Sequence, residues 1–165
     1  MRAPVVAAVQ GVAAGGGLSL LCGCDLVIAA ASAKFTLAYT RAGLTPDGGS
    51  TFFLARLVGL RRAYELALTN RVLSAQEALE WGLITQVVPD QDLGEAAGAL
   101  AANPVRGPTE SFGATKRLLL DGATNSLETQ MELESRAIAE AIRRPDGQEG
   151  IAAFLEKRRP GFVGK

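Results

Sequence analysis

The sequence predicts an α/β protein in which a strand-containing first part is followed by a helical tail. Residues 5–9 and 26–30 are short apolar runs with β-branched side chains, which is typical of parallel strands buried on both faces. A glycine-rich corner leads from the first run into an apolar segment at 17–23, as expected of a strand–turn–helix connection. From residue 91 onward the pattern is helical. The 165-residue chain is 48% hydrophobic and 21% charged, a composition typical of one globular domain.

Periodicity and turn residues together predict the boundaries of the first seven segments. They are strands at 5–9, 26–30 and 34–38, a buried helix at 17–23, a loop at 41–50, and helices from near Ser50 to Val58 and from Arg61 to Thr69. The helix at 17–23 is expected to be buried because it is apolar on all sides. Gly59 is expected to separate the last two helices.

Capping residues predict where helices begin in the second half of the chain. Ser74 and Glu77 have the spacing of a capping box and predict a short helix, which Gly82 ends. The segments that follow are a strand at 83–88, helices at 91–102, 108–121 and 126–143, and a last helix that starts with the capping-type pair Asp146 and Glu149 and reaches Arg158. We expect one continuous domain, with a core region at 1–106 and a helical oligomerisation region at 107–165.

The composition excludes several function classes. Lysine plus arginine and aspartate plus glutamate number 17 each, so no charge excess points to nucleic acid or to an anionic membrane. The chain has no histidine, which removes Ser-His-Asp and Cys-His catalysis and HExxH zinc sites, and no metal is expected. Cys22 and Cys24 fit neither a CxxC redox motif nor a zinc knuckle, and we expect free thiols in the reducing cytoplasm.

The N-terminus also allows a different hypothesis, a lipoprotein signal peptide. Met1 and Arg2 are followed by apolar residues up to Cys24, which superficially imitates such a signal. Gln10 and three consecutive glycines interrupt the apolar region, and this composition disfavours the hypothesis.

The glycine triplet Gly15, Gly16 and Gly17 is a candidate anion site. The first amides of a helix have no intrahelical acceptor and can bind a phosphate, a carboxylate or a developing oxyanion. The spacing matches neither the dinucleotide motif GxGxxG nor the P-loop. Close packing of a strand against a helix is the alternative use of these glycines.

Residues 4–35 resemble the central motif of the crotonase family, the enoyl-CoA hydratase/isomerase superfamily. Further matches follow at 41–59 (RAGLTPDGGSTFFLARLVG), at 68–88 (LTNRVLSAQEALEWGLITQVV) and at 154–162 (FLEKRRPGF). The resemblance implies a β-β-α spiral, here incomplete at its N-terminus, followed by helices that assemble trimers or hexamers. It also implies a coenzyme A thioester as substrate, with no separate cofactor.

The resemblance assigns roles to residues around the glycine corner. In the family the middle glycine, here Gly16, donates its N–H to the thioester oxygen as it becomes an enolate, and Gly15 and Gly17 lie beside the substrate. The two glutamates of the family's hydratases correspond to Ser19 and Tyr39. Neither is a carboxylate, so an isomerase is favoured over a hydratase. Their hydroxyls could orient the substrate or only line the pocket.

Asp47 matches the position where dienoyl-CoA isomerases of the family keep a catalytic aspartate. One carboxylate can remove a proton at one carbon and return it at another. An aspartate in a Pro-Asp-Gly turn can equally cap the helix that begins near Ser50, and both interpretations stay open. Phe154 and Lys157 resemble family residues that contact coenzyme A, or they simply end a helix. The alternative function is a truncated, non-catalytic chain that binds acyl-CoA or only assembles.

Overall fold

The protein, seen in a computed structural model, contains strands and helices in its first part and helices alone in its last part. The structure describes residues 1–165 except for the side chains of Asn103 and Val105. In chain order the elements are β1 (Val6–Val9), β2 (Val12–Ala14), α1 (Gly16–Cys22), β3 (Leu26–Ala30), β4 (Lys34–Thr36), α2 (Ser50–Val58), α3 (Leu60–Thr69), β5 (Leu73–Ser74), α4 (Ala75–Glu80), β6 (Gln86–Val88), α5 (Leu93–Val105), α6 (Thr109–Asp121), α7 (Leu127–Arg143) and α8 (Pro145–Leu155).

The chain forms two compact units. One unit comprises residues 5–100 and contains all the strands given above. The other combines residues 1–4 with residues 101–165 and contains α6, α7 and α8. The α/β class is confirmed, whereas the division into 1–106 and 107–165 stays a prediction. Within the described part of the chain, no helix has the length and apolar character needed to cross a bilayer.

Two three-stranded sheets form the frame of the first unit. One sheet has the order β1-β3-β6 with parallel pairing throughout, and Val6 lies opposite Leu26. The other has the order β2-β4-β5, in which β2 and β4 are parallel and β5 is antiparallel to β4. The chain adds one strand to each sheet before it enters a helix: β1 and β2 precede α1, and β3 and β4 precede α2. These are two turns of the predicted β-β-α spiral.

Strand β3 is buried on both faces, as its continuous apolar run predicts. Successive side chains of a strand point to opposite faces of the sheet. Val27 and Ala29 pack into the main core with residues of α1, α2, α3 and α4. Ile28 and Ala30 pack on the other side against Leu93 at the start of α5. The strand is therefore shielded from water by helices on one side and by α5 on the other.

Several local predictions are confirmed and two strand predictions are too long. Ser74 and Glu77 form a complete capping box at the start of α4. Gly59 lies between α2 and α3 with φ +81°, a conformation that favours glycine. The strand predicted at 34–38 ends at Thr36, and the strand predicted at 83–88 begins at Gln86.

The structure contains two strands that the pattern does not predict, and α1 is less buried than expected. β2 and β5 have only three and two residues, and both exist through pairing with β4. The prediction that α1 is buried on all sides is wrong, because the Leu20 side chain is 77% exposed. Leu18 and Leu21 face the core, so this short helix has one buried side.

The predicted capping role of Asp146 and Glu149 is also wrong. α8 begins at Pro145, and its N-terminus has no side-chain cap. The buried Asp146 carboxylate instead accepts hydrogen bonds from the backbone N–H groups of residues 163–165 at 2.7–3.1 Å. Glu149 pairs with Arg158, which lies beyond the end of α8. Both carboxylates therefore fix the chain terminus to the helix.

Candidate active site

The site begins at the corner between β2 and α1. Gly15 has φ +51°, which lets the chain leave the strand without a Cβ clash and start the helix. Its N–H donates to the carbonyl of Thr36 in β4 at 3.3 Å, and its carbonyl accepts the N–H of Ser19 at 3.0 Å. The second sheet and the first helical turn therefore both hold this corner in place.

Gly16 is the first residue of α1 and presents its backbone at the protein surface. The N–H groups of the first helical turn have no acceptor inside the helix. The N–H of Gly16 has no hydrogen-bond acceptor elsewhere in the described part of the chain either. Gly16 and the adjacent Gly17 are both exposed, so a ligand can approach their backbone without meeting a side chain on either residue.

Three residues that lie far apart in the sequence meet beside this corner. The hydroxyl of Ser19, a residue only 2% exposed on α1, lies 3.0 Å from the hydroxyl of Tyr39. The Tyr39 hydroxyl donates a hydrogen bond to the Asp47 carboxylate. The Ser19 hydroxyl also lies 3.2 Å from the carbonyl of Gly15. The structure therefore links the predicted carboxylate to the glycine corner through two hydroxyl groups.

The Tyr39 hydroxyl also lies close to Gly16. A Cβ atom built on Gly16 would be 3.9 Å from Tyr39 Oη, an ordinary van der Waals distance. Because Tyr39 Oη also bonds to Asp47, the aspartate carboxylate and the backbone of Gly16 both lie beside this one hydroxyl group. A carboxylate and an unpaired N–H donor in one place are the minimum that enolate chemistry on a thioester needs.

Two glycines place Asp47 near α1. Gly48 and Gly49 have φ +60° and +79°. A Cβ atom on Gly48 would come within 3.0 Å of Ser19 Cβ, so the loop approaches the helix more closely than other residues allow. The Asp47 backbone carbonyl accepts hydrogen bonds from the N–H and the hydroxyl of Ser50.

The capping interpretation of the Asp47 side chain is wrong. The N-cap of α2 is Gly49, and no side chain caps this helix. The contribution of Asp47 to the start of α2 is made by its backbone carbonyl, which any residue could provide. Its exposed carboxylate is therefore free of a helix-capping role.

Cys22 does not have the character of a nucleophile. Neither Cys22 nor Cys24 is part of a disulfide, and Cys22 is buried. Burial raises the pKa of the Cys22 thiol to about 11, with a smaller contribution from Cys24 nearby. A thiol with this pKa is protonated at neutral pH, whereas nucleophilic attack needs the thiolate.

The two predicted coenzyme A contacts lie in the helical unit. Phe154, near the end of α8, is 82% exposed and lines an apolar groove together with Ile151 and Phe162. Lys157 follows the helix end, is exposed, and has φ +55°, which is uncommon for a residue other than glycine. Their predicted contact with coenzyme A stays a prediction.

The fold and the site define a class of protein. Residues 1–165 match the family described as Enoyl-CoA hydratase/isomerase, and the chain belongs to this family. Among its relatives is the 1,2-epoxyphenylacetyl-CoA isomerase of Escherichia coli K12, which is 48% identical over 162 residues, corresponding to 98% of this chain and 62% of the relative. A Rhodobacter capsulatus protein named "Probable enoyl-CoA hydratase" is 46% identical over 98% of this chain and 63% of its own length.

Solved structures agree with the sequence relatives. The crystal structure of an enoyl-CoA hydratase from Bacillus anthracis superimposes with a TM-score of 0.92 at 39% identity, covering 99% of this chain and 64% of that one. The predicted crotonase-like fold is thereby confirmed. The chain spans less than two thirds of the length of these relatives.

Proposed function

We propose that the protein containing this chain is an acyl-CoA enzyme that stabilises the enolate of a coenzyme A thioester and moves a double bond. The observation that carries the proposal is the Asp47 carboxylate, held by Tyr39 beside the free amide of Gly16. Membership of the enoyl-CoA hydratase/isomerase family supports an acyl-CoA substrate, and the Escherichia coli relative supports isomerisation.

The proposed reaction is a proton transfer between two carbons of the acyl group. The Asp47 carboxylate removes a proton, and the electron pair of the broken C–H bond moves toward the thioester, whose oxygen becomes an enolate oxygen. The Gly16 N–H donates a hydrogen bond to this oxygen as its charge develops. The Asp47 carboxylic acid then returns the same proton at a different carbon, so a single carboxylate completes the cycle.

Isomerisation is favoured over hydration because the described residues of the site include no carboxylate pair. Adding water across a double bond requires a base that activates the water and an acid that protonates the substrate. The positions that correspond to the two hydratase glutamates are Ser19 and Tyr39, and both hydroxyls are engaged in the hydrogen bonds described above. Asp47 is therefore the acid and base of this proposal.

The remaining predicted substrate contacts are proposed for each unit separately. Gly15 and Gly17 would lie along the thioester, and Phe154 and Lys157 would contact the coenzyme A portion, which enters as part of the substrate. We place the protein in the cytoplasm, where reduced thiols such as Cys22 persist.

We also propose that copies of the chain assemble into a homotrimer or homohexamer. The helical unit leaves large apolar side chains exposed on α6, α7 and α8, and apolar surface of this extent is typical of an interface. These side chains include Leu119, Leu127, Met131, Ile138 and Leu155.

Replacement of Asp47 by asparagine tests the catalytic role. Asp47→Asn keeps the size of the side chain and one acceptor oxygen for Tyr39, but the amide cannot take a proton. We expect turnover of an unsaturated acyl-CoA, followed by the ultraviolet absorbance of the conjugated thioester, to fall at least about 10²-fold. The melting temperature should not change, because the carboxylate caps no helix.

The matched control is Asp92→Asn, which changes another exposed aspartate in the short turn before α5. It should leave turnover unchanged. The assay uses the protein in its full natural length and a substrate that the unmodified protein converts. Full activity of Asp47→Asn would refute the proposed acid–base role and would favour the non-catalytic alternative.

A further inference from the structure

We propose that Tyr39 is a positioning residue for the Asp47 carboxylate and that Ser19 holds Tyr39 in turn. This inference rests on the proposed function, because positioning matters only if Asp47 transfers a proton. It goes beyond the pocket-lining role that the sequence suggests for the two hydroxyls. The observation behind it is the continuous chain of contacts from the Ser19 hydroxyl to the Tyr39 hydroxyl and on to the Asp47 carboxylate.

Asp47 and Ser19, at the two ends of this series of contacts, differ in how firmly they are held. Asp47 is exposed and is followed by two glycines, so its side chain has little packing to fix its direction. Ser19 is 2% exposed within α1, and its hydroxyl lies 3.2 Å from the Gly15 carbonyl and 3.0 Å from the Tyr39 hydroxyl. The Tyr39 hydroxyl therefore connects the exposed Asp47 carboxylate to the buried Ser19 hydroxyl.

The backbone of Tyr39 provides a fixed base for its ring. The Tyr39 N–H donates to the Leu37 carbonyl at 2.8 Å. The Tyr39 carbonyl accepts the N–H groups of Ala42 at 2.9 Å and Leu44 at 3.1 Å. With both backbone polar groups engaged and the side chain half-buried, the hydroxyl is held at one place beside Gly16.

The number of protons sets the direction of the hydrogen bonds. A hydroxyl group has one proton to donate. Because the Tyr39 proton goes to the Asp47 carboxylate, the Tyr39 oxygen can only accept from Ser19, whose one proton can go to Tyr39 at 3.0 Å or to the Gly15 carbonyl at 3.2 Å. When Asp47 holds the substrate proton, Ser19 can turn its own proton to the Gly15 carbonyl at 3.2 Å. This series of hydrogen bonds is thus suited to an ionised Asp47, the form that removes a proton.

Tyr39→Phe removes the hydroxyl and keeps the ring. If Tyr39 positions Asp47, kcat should fall about 10- to 100-fold, the range expected when a catalytic group is displaced by a fraction of an ångström to one ångström. KM should change little, because the hydroxyl of a positioning residue does not contact the substrate. The matched control is Tyr64→Phe, which changes the other tyrosine of the chain, exposed on α3, and should leave kcat unchanged.

A double-mutant cycle distinguishes positioning from a structural or substrate-binding role. A residue that acts through Asp47 has nothing to act on in the Asp47→Asn background, so adding Tyr39→Phe there should lower the residual rate no further. A substrate-binding or structural role predicts that the two losses multiply. Multiplied losses, or a change confined to KM, would overturn the inference.

A second measurement needs no activity. In ring-labelled protein, the Cζ resonances of Tyr39 and Tyr64 are assigned by their disappearance in Tyr39→Phe and Tyr64→Phe. Asp47→Ala removes the acceptor and should shift the Tyr39 resonance while the Tyr64 resonance stays in place. An unmoved Tyr39 resonance would overturn the inference and leave the proposed function standing. Loss of turnover in Asp47→Asn tests the proposed function separately, so the two failures are distinguishable.

Discussion

Replacing Gly16 by proline removes the proposed oxyanion donor with little other change. Gly16 is the first residue of α1, and its N–H has no acceptor in the described part of the chain. Proline is well tolerated at the first helical position because the missing N–H is not needed by the helix. The chain already uses proline in this way, since Pro145 opens α8.

The geometry sets the size of the expected effect. Because Gly16→Pro breaks no hydrogen bond among the described residues, we expect no large change in melting temperature. Among the described residues, a Cβ atom at this position would have Tyr39 Oη, at 3.9 Å, as its one contact within 4 Å. Loss of one oxyanion donor lowers kcat by about 10²–10³-fold, or about 2.7–4 kcal/mol of transition-state stabilisation.

Two further variants make the result interpretable. Gly16→Ala adds a Cβ atom but keeps the N–H, so it should lose less activity than Gly16→Pro. Leu60→Pro places proline at the first residue of α3, where the side chain is exposed, and should leave turnover unchanged. The assay compares kcat for the three variants and the unmodified protein, with circular dichroism melts in parallel. A folded Gly16→Pro protein with full kcat, or equal losses in Gly16→Ala and Gly16→Pro, would refute the role of the amide.

The remaining predictions concern acid stability and assembly. Hydrogen bonds from Ser74, and then from Arg71, lower the pKa of Glu77 from 4.5 to about 2, so its contribution to stability is present above pH 4.5 and is lost as the pH falls toward 2. Glu77→Gln should therefore have a lower melting temperature than the unmodified protein at pH 7. Its melting temperature should also fall less between pH 4.5 and pH 3, and an equal fall in both proteins would contradict this. Light scattering of the full-length protein should give the mass of a trimer or a hexamer, and a stable monomer at micromolar concentration would contradict the proposed assembly.

Local features of the chain were predictable because neighbouring residues alone produce them. The capping box of Ser74 and Glu77 closes between residues three apart, within one helical turn. Gly15 and Gly59 adopt positive φ, a freedom that belongs to the residue type. The apolar run at 26–30 allows only a strand covered on both faces.

Errors arise where a distant partner decides the outcome. The Asp146 spacing looks like a cap, yet its carboxylate binds backbone N–H groups of residues 163–165. The strands β2 and β5 are too short to have a pattern of their own and are stabilised by the hydrogen bonds of β4. Neither interaction produces a residue pattern with the period of a helix or a strand, so the sequence does not indicate it.

The sequence by itself determined the fold class, the glycine corner with Gly16 at the start of a helix, and the residue types available for chemistry. Only the tertiary structure decided that Asp47, Tyr39 and Ser19 meet, because the contacts between them join residues 8 and 20 positions apart. The direction of a side chain on a loop depends on which surface the loop packs against, and here Gly48 brings the loop against α1. Secondary-structure patterns report which face of an element is apolar, whereas the meeting of three polar side chains depends on the path of the chain through space.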